Sequence, residues 1–186
     1  MRRDVLVITA LGILSAGTSL AVSPDWRGAF GAALALLMLA IAVSDLRRFI
    51  VPNALTGAAF ALALIFAIAF DATPPAEAVL MALLRAAATA LPLFALMVGY
   101  EWWRGRPGLG MGDVKLAAVA GAWLDWFTIV GIIEAAALAA IAAFGVWRYL
   151  LRRPIAATTP LPFGLFLAPA IWGGWVAEVL LAPHPY

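Results

Sequence analysis

The run EAVLMALLRAAATALPLFALMVGY, residues 77–100, is apolar almost throughout, with Arg85 as the only basic residue inside it. A helix that crosses the hydrocarbon core of a bilayer needs about 20 mostly apolar residues. This run supplies them and is too long for an ordinary globular core helix. Six further apolar segments can be cut from the chain, at about 5–22, 28–44, 53–70, 113–125, 127–148 and 161–181. The composition agrees: 66% of the 186 residues are hydrophobic, 12% are charged and the mean hydropathy is +1.03. Soluble domains average about 25% charged residues. The expected fold is therefore all-α, a polytopic membrane helix bundle of about six or seven transmembrane helices. With no internal repeat or low-complexity region, residues 1–186 read as a single integral-membrane domain.

Charge sets the expected topology. With the N-terminus in the cytoplasm, as Arg2 and Arg3 suggest, strict alternation puts Arg47, Arg48, Arg104, Arg106, Arg148, Arg152 and Arg153 on the inner side. The outer loops then hold only Arg27, in keeping with the positive-inside rule. Trp26, Trp102, Trp103, Trp123, Trp126 and Trp147 fall near predicted interfaces, where indoles prefer to lie. The same bias accounts for a sequence pI of 9.5 and a net charge of +2 without nucleic-acid binding. The opening MRRDVLVITALGILSAGTSLAVS has the pattern of a secretory signal; followed by so many spans, it reads as an uncleaved first helix. Segment 113–125 is short for a span at 1.5 Å per residue. A half-span, a locally thinned bilayer and a tight helical hairpin over 113–147 turning at WLDWF all fit it.

Several chemistries are excluded. The chain has no cysteine, so disulfides, thiolate catalysis and Cys-ligated zinc are ruled out. The one histidine, His184, lies in the tail PHPY and reads as a tail residue rather than a ligand. No metal and no cofactor are expected.

Ionisable residues inside spans are costly and mark candidate functional sites. Arg85 in the fourth span and Glu134 in the sixth lie at similar depth, and a structural ion pair between them is expected, with Glu178 as the alternative partner. Asp45 ends the second span in AVSDLRRFIVPN and Asp113 opens the fifth in GLGMGDVKL. Under the topology above they share the cytoplasmic boundary. Two carboxylates that face each other cannot both ionise easily; one keeps a proton while the other accepts one from water. That is aspartic-protease chemistry, and it needs no other residue type. Taken singly, Asp45 reads as a polar residue at a helix exit, stopped by Pro52, and Asp113 as an N-cap. The alternating Gly108, Gly110 and Gly112 allow unusual backbone conformations and close approach by another chain. Their spacing does not fit a phosphate-binding P-loop. Lys115 can snorkel to the inner surface or lower the pKa of a nearby carboxylate.

GMGDVKL resembles the GxGD-x-K motif of the type IV prepilin peptidases and their archaeal preflagellin-peptidase relatives, which are intramembrane aspartyl proteases. SDLRRFIVPNAL is similar to that family's first aspartate motif, and LPFGLFLAPA to its C-terminal proline-phenylalanine-glycine signature. The three stand in the family's order and run from about Ser44 to Ala170. The resemblance implies that Asp45 and Asp113 are the catalytic pair. It implies too that Gly110 and Gly112 shape the loop bearing Asp113, and that Pro162, Phe163 and Gly164 line or order the cleft. Lys115, Pro52 and Asn53 complete the expected substrate-binding or site-shaping set.

The implied reaction removes the short basic leader of prepilin-like proteins at the cytoplasmic face of the bacterial inner membrane. The expected partners are such substrates and the lipid bilayer, with no nucleic acid; the oligomeric state is not legible. Longer family members carry a cysteine-paired cytoplasmic domain and also methylate the new N-terminus. Without cysteines, this chain resembles the short peptidase-only branch serving tight-adherence (Flp-type) pili, with N-methylation not expected. Basic inner loops are a poor match for a basic leader, which leaves Asp4, Glu101, anionic lipid or the substrate's hydrophobic helix to guide binding. A proton-carrying transporter or channel subunit and a non-catalytic secretion assembly factor are the competing readings. Presenilin-like proteins fit less well, since they place tyrosine before the first aspartate where this chain has Ser44.

Overall fold

In a computed structural model, residues 2–106, 108–150 and 162–181 are described. Arg152, Arg153 and His184, which the sequence reading placed in an inner loop and the tail, lie outside the described residues. Among the described residues seven α-helices follow in order: α1 Arg2–Val22, α2 Trp26–Arg48, α3 Asn53–Phe70, α4 Pro75–Arg104, α5 Met111–Trp123, α6 Trp126–Gly145 and α7 Gly164–Leu181. A π-helical turn, Val146–Leu150, extends α6. Six of the seven are long and apolar enough to cross a membrane; α5 is the exception. The chain is a multi-pass membrane protein.

The helix ends have local causes. Asp25 caps α2, accepting from the N–H groups of Arg27 and Gly28 and so satisfying donors that a helix start leaves free. Pro52 precedes α3 in extended geometry, and Pro75 opens α4, the first-turn position that proline tolerates. Gly105 ends α4 in the left-handed region at φ 65°, which glycine adopts without steric cost. Phe49 ends α2 in the same region at φ 53°, where a side chain is disfavoured.

Helices α2, α5 and α7 form the centre. α7 packs on α2 and α6, while α5 packs chiefly on α4 and α3. Leu34, Met38 and Ile41 of α2 meet Leu116 and Val119 of α5 and Leu167, Ile171 and Trp175 of α7 in one buried cluster. The buried residues of α4 are all alanines, Ala78, Ala82 and Ala86. Small residues let membrane helices approach closely, and a Cβ on Gly121 of α5 would sit 2.5 Å from the Arg85 carbonyl oxygen of α4. The outer surface is a coat of exposed Leu, Ile, Val and Phe, which suits lipid.

The short helix settles one open point. α5 has 13 residues, about 20 Å at 1.5 Å per residue, against a hydrocarbon core of about 30 Å. Leu124 and Asp125 break the chain before α6, and α6 packs on α7 rather than back along α5. The tight hairpin is therefore not what forms. Instead α5 is shielded by its neighbours, with eight buried residues from Val114 to Trp123. Trp123 corrects the interfacial expectation: it is 4% exposed, its Nε1–H donates to the Ala59 carbonyl at 2.9 Å, and its ring lies 5.1 Å from that of Phe66.

The expected Arg85–Glu134 pair does not form. Arg85 Nε donates to the Gly121 carbonyl at 3.3 Å, and Nη1 lies 3.8 Å from Asp125 Oδ1. Glu178 accepts from the Asp125 N–H at 2.7 Å, so the alternative partner belongs to the same cluster. Glu134 is exposed on the outer face of α6. Arg85 thus places a cation at the C-terminal end of α5, where the helix dipole and the free carbonyls favour one.

Candidate active site

The end of α2 and the starts of α3, α5 and α7 meet at one end of the bundle. Asp45, in the last turn of α2, is 6% exposed, and its Oδ2 accepts from the Leu165 N–H at 3.0 Å. The Gly164 N–H lies against the same carboxylate. Both donors belong to the first turn of α7, whose N–H groups have no intrahelical partner. Gly164 is required there for space, since a Cβ would come 2.8 Å from Asp45 Oδ2 and 3.2 Å from Leu116 Cδ1. Pro162 is buried beside it, and its carbonyl accepts from Leu165 at 3.2 Å. The Phe163 carbonyl accepts from Phe166 and Leu167, so this residue starts the helix and its ring packs on the main cluster.

Asp113 lies in the first turn of α5. The N-cap is Gly110, not Asp113, whose own N–H donates to the Gly110 carbonyl at 3.1 Å. Burial pushes its carboxyl up to about 6, the negative charge of Asp45 adds to the rise, and the Gly110 N–H opposes it. The two acids, 68 positions apart in sequence, are thus near enough in space for the charge of Asp45 to be felt at Asp113.

Two of the glycines before Asp113, Gly108 and Gly112, provide room rather than rare backbone angles, while a Cβ on Gly110 would make only ordinary contact, 3.6 Å from Asp113 Oδ2. None of Gly108, Gly110 and Gly112 has a positive φ. A Cβ on Gly108 would strike the Tyr100 ring at 2.4 Å, and one on Gly112 would lie 2.7 Å from Val51 Cγ2. Lys115 Nζ donates to Asn53 Oδ1, joining α5 to the start of α3. Pro52, the N-cap residue of α3, accepts from the Thr56 N–H at 3.1 Å. All ten residues singled out from the sequence therefore collect at one end of the bundle. Two positions that the sequence reading passed over also belong to it: Leu165, whose backbone reaches Asp45, and Val51, which fills the space left by Gly112. Neither contact has a side-chain signature in sequence. Among the described residues no cluster of His, Cys, Asp and Glu could hold a metal ion.

Residues 32–146 match the model of the type IV leader peptidase family. This chain belongs to that family. The matched range contains both acids and ends before α7, so the proline-phenylalanine-glycine turn falls outside it. Similar proteins are prepilin leader peptidase/N-methyltransferases. That of Aeromonas salmonicida is 32% identical over 175 residues, 94% of this chain and 57% of its own length. That of Pectobacterium carotovorum is 34% identical over 164 residues, 88% of this chain and 56% of its own. That of Burkholderia pseudomallei is 32% identical over 169 residues, 89% and 52%. This leader peptidase family chain spans about half the length of the curated relatives it matches. No solved structure matches it.

Proposed function

We propose that this chain is an intramembrane aspartyl endopeptidase that removes the basic leader of prepilin-like proteins, with Asp45 and Asp113 as its catalytic pair. The observation that carries the reading is the meeting of these two acids, from distant helices, at one end of the bundle, with Asp113 pushed up to about 6 in part by the charge of Asp45. In such a pair the like charge raises one pKa, so that one acid keeps a proton while the other is ionised.

The step balances without a cofactor. Water adds through its oxygen to the scissile carbonyl carbon and loses a proton to the ionised carboxylate. The protonated partner gives its proton to the carbonyl oxygen, forming a neutral gem-diol. When the C–N bond breaks, the first acid's proton passes to the leaving nitrogen and one diol hydroxyl returns its proton to the second acid. A helical substrate carbonyl is already hydrogen-bonded, so the bond must first unwind, and a glycine nearby lowers that cost.

The positive-inside rule puts the site at the cytoplasmic face of the inner membrane, with the N-terminus inside. The substrate class follows from the names of the similar proteins; Flp-type prepilins are the narrower choice suggested by the likeness of this cysteine-free chain to the short peptidase-only branch. Those names include N-methyltransferase, which is in tension with the expectation that this chain does not methylate. We assign it the peptidase step alone. The test is incubation of the purified chain with a Flp-type prepilin, followed by N-terminal sequencing and mass spectrometry. One cut before the hydrophobic segment, with an unmethylated product, supports the assignment. An uncut substrate refutes the peptidase reading, and an added methyl group refutes the restriction to peptidase.

A further inference from the structure

The two acids sit on different helices, and a short strap joins them. It begins at Asp45 itself, whose carbonyl accepts from the Phe49 N–H at 2.9 Å. Ser44 Oγ donates to the Ile50 carbonyl at 2.8 Å. Phe49 holds the left-handed φ of 53° that lets the chain reverse there, at a cost a glycine would avoid. The turn is therefore tied at two points to the last turn of α2. Its next residue, Val51, is 8% exposed and sits against Gly112, where an added Cβ would meet Val51 Cγ2 at 2.7 Å and Val51 Cβ at 2.9 Å. Beyond it, Asn53 accepts from Lys115. Asp113 lies between Gly112 and Lys115, so it is gripped on both sides by the segment that leaves Asp45.

We propose that Val51 is a positioning residue, a key in the notch of Gly112 that sets the separation of the Asp45 and Asp113 carboxylates. Nothing in the chemistry of a valine acts on substrate. Its role is to fix the start of α5 relative to the end of α2, and it rests on the reading of the two acids as a catalytic pair. Packed side chains resist small displacements because interiors are near close-packed. A change of one or two methyl groups at this contact therefore moves the acids rather than vanishing into slack.

The separation has a spectroscopic signature, because like charges raise one another's pKa and the effect falls with distance. Of the ionisable groups at this end of the bundle, Asp45 of α2 is the charge that acts on Asp113 and Lys115 on its own helix is held by Asn53. Arg47 and Arg48 at the end of α2, Glu101 and Arg104 at the end of α4, and Arg106 after it are exposed. The first turns of α3 and α7 carry no ionisable residue.

The test is carboxyl-carbon NMR titration of Asp113 in protein labelled at aspartate, which needs no substrate, paired with cleavage rates. Val51→Ala is expected to move the Asp113 titration to lower pH by about half a unit, and to leave it in place when made in Asp45→Asn. A shift that persists in Asp45→Asn means the valine only shields Asp113 from water, and overturns the proposal. Gly112→Ala is expected to lose at least about 10-fold in cleavage rate, as a sub-ångström misplacement does. Adding Val51→Gly, which empties the notch, is expected to restore the rate to that of Val51→Gly alone. Losses that simply multiply overturn the key-and-notch account. If wild type cleaves nothing, the peptidase reading fails, while the titrations still decide the role of Val51.

Discussion

Gly164→Ala is a small change with a large expected effect. The added Cβ would lie 2.8 Å from Asp45 Oδ2, 3.1 Å from its Cγ and 3.2 Å from Leu116 Cδ1. Ordinary contact begins near 3.4 Å, so the carboxylate must retreat by about 0.6 Å or α7 must withdraw. Leu116 is fully buried and cannot absorb the displacement. Either movement stretches the 3.0 Å bond from the Leu165 N–H, and a hydrogen bond to a charged group contributes about 1.5–3 kcal/mol. Losing that, or misplacing the Asp45 carboxylate by a fraction of an ångström, corresponds to about 10- to 100-fold in rate. The loss should fall on kcat, with KM little changed, because the substrate helix does not need this contact to bind. The assay is a time course of leader removal by gel shift, normalised to membrane-inserted protein. A Gly164→Ala variant that cleaves within about twofold of wild type would refute the account of the first turn of α7.

Other expectations follow from the same contacts. With Asp113 pushed up to about 6, the pair keeps its one proton below that value and loses it above. Cleavage should therefore fall as pH rises through about 6, and a rate that climbs steadily to pH 8 would contradict the shared proton. Glu134→Gln should leave cleavage unchanged, and reversing the charges of Arg85 and Glu134 together should rescue nothing, because Arg85 reaches Gly121 and Asp125 instead; growth of pili or cleavage in a complementation assay reads both. Trp123→Phe removes the hydrogen bond to Ala59 and should cost about 1 kcal/mol of stability in denaturant titration, while sparing the end that holds Asp45 and Asp113.

Much of the fold was legible because the bilayer imposes its own length scale. All seven apolar segments reappear as helices, and alternating the spans had already put Asp45 and Asp113 at one boundary. Rotation about each helix axis was not legible. α6 is apolar nearly all round, so counting depth paired Glu134 with Arg85 although Glu134 faces outward. Trp123 misled for a related reason: an indole at a segment end suits an interface, but α5 is too short to reach one and its end is buried. At the site, the residue types named the acids but not what spaces them. The glycines before Asp113 read as freedom of backbone or close approach by another chain, without naming the neighbour; Gly112 and Gly164 matter for the atoms they lack, beside Val51 and Asp45. A missing Cβ becomes informative only once the neighbour that fills its place is known.

The central claim is that Asp45 and Asp113 act as one catalytic unit. Its most direct test is the cleavage rate of a prepilin-like substrate by Asp45→Asn, Asp113→Asn and the double variant, each at matched membrane levels. Groups that work as a unit are strongly non-additive, so each single variant should lose as much as the double. Either single variant retaining cleavage, or a double variant far slower than both singles, would contradict it.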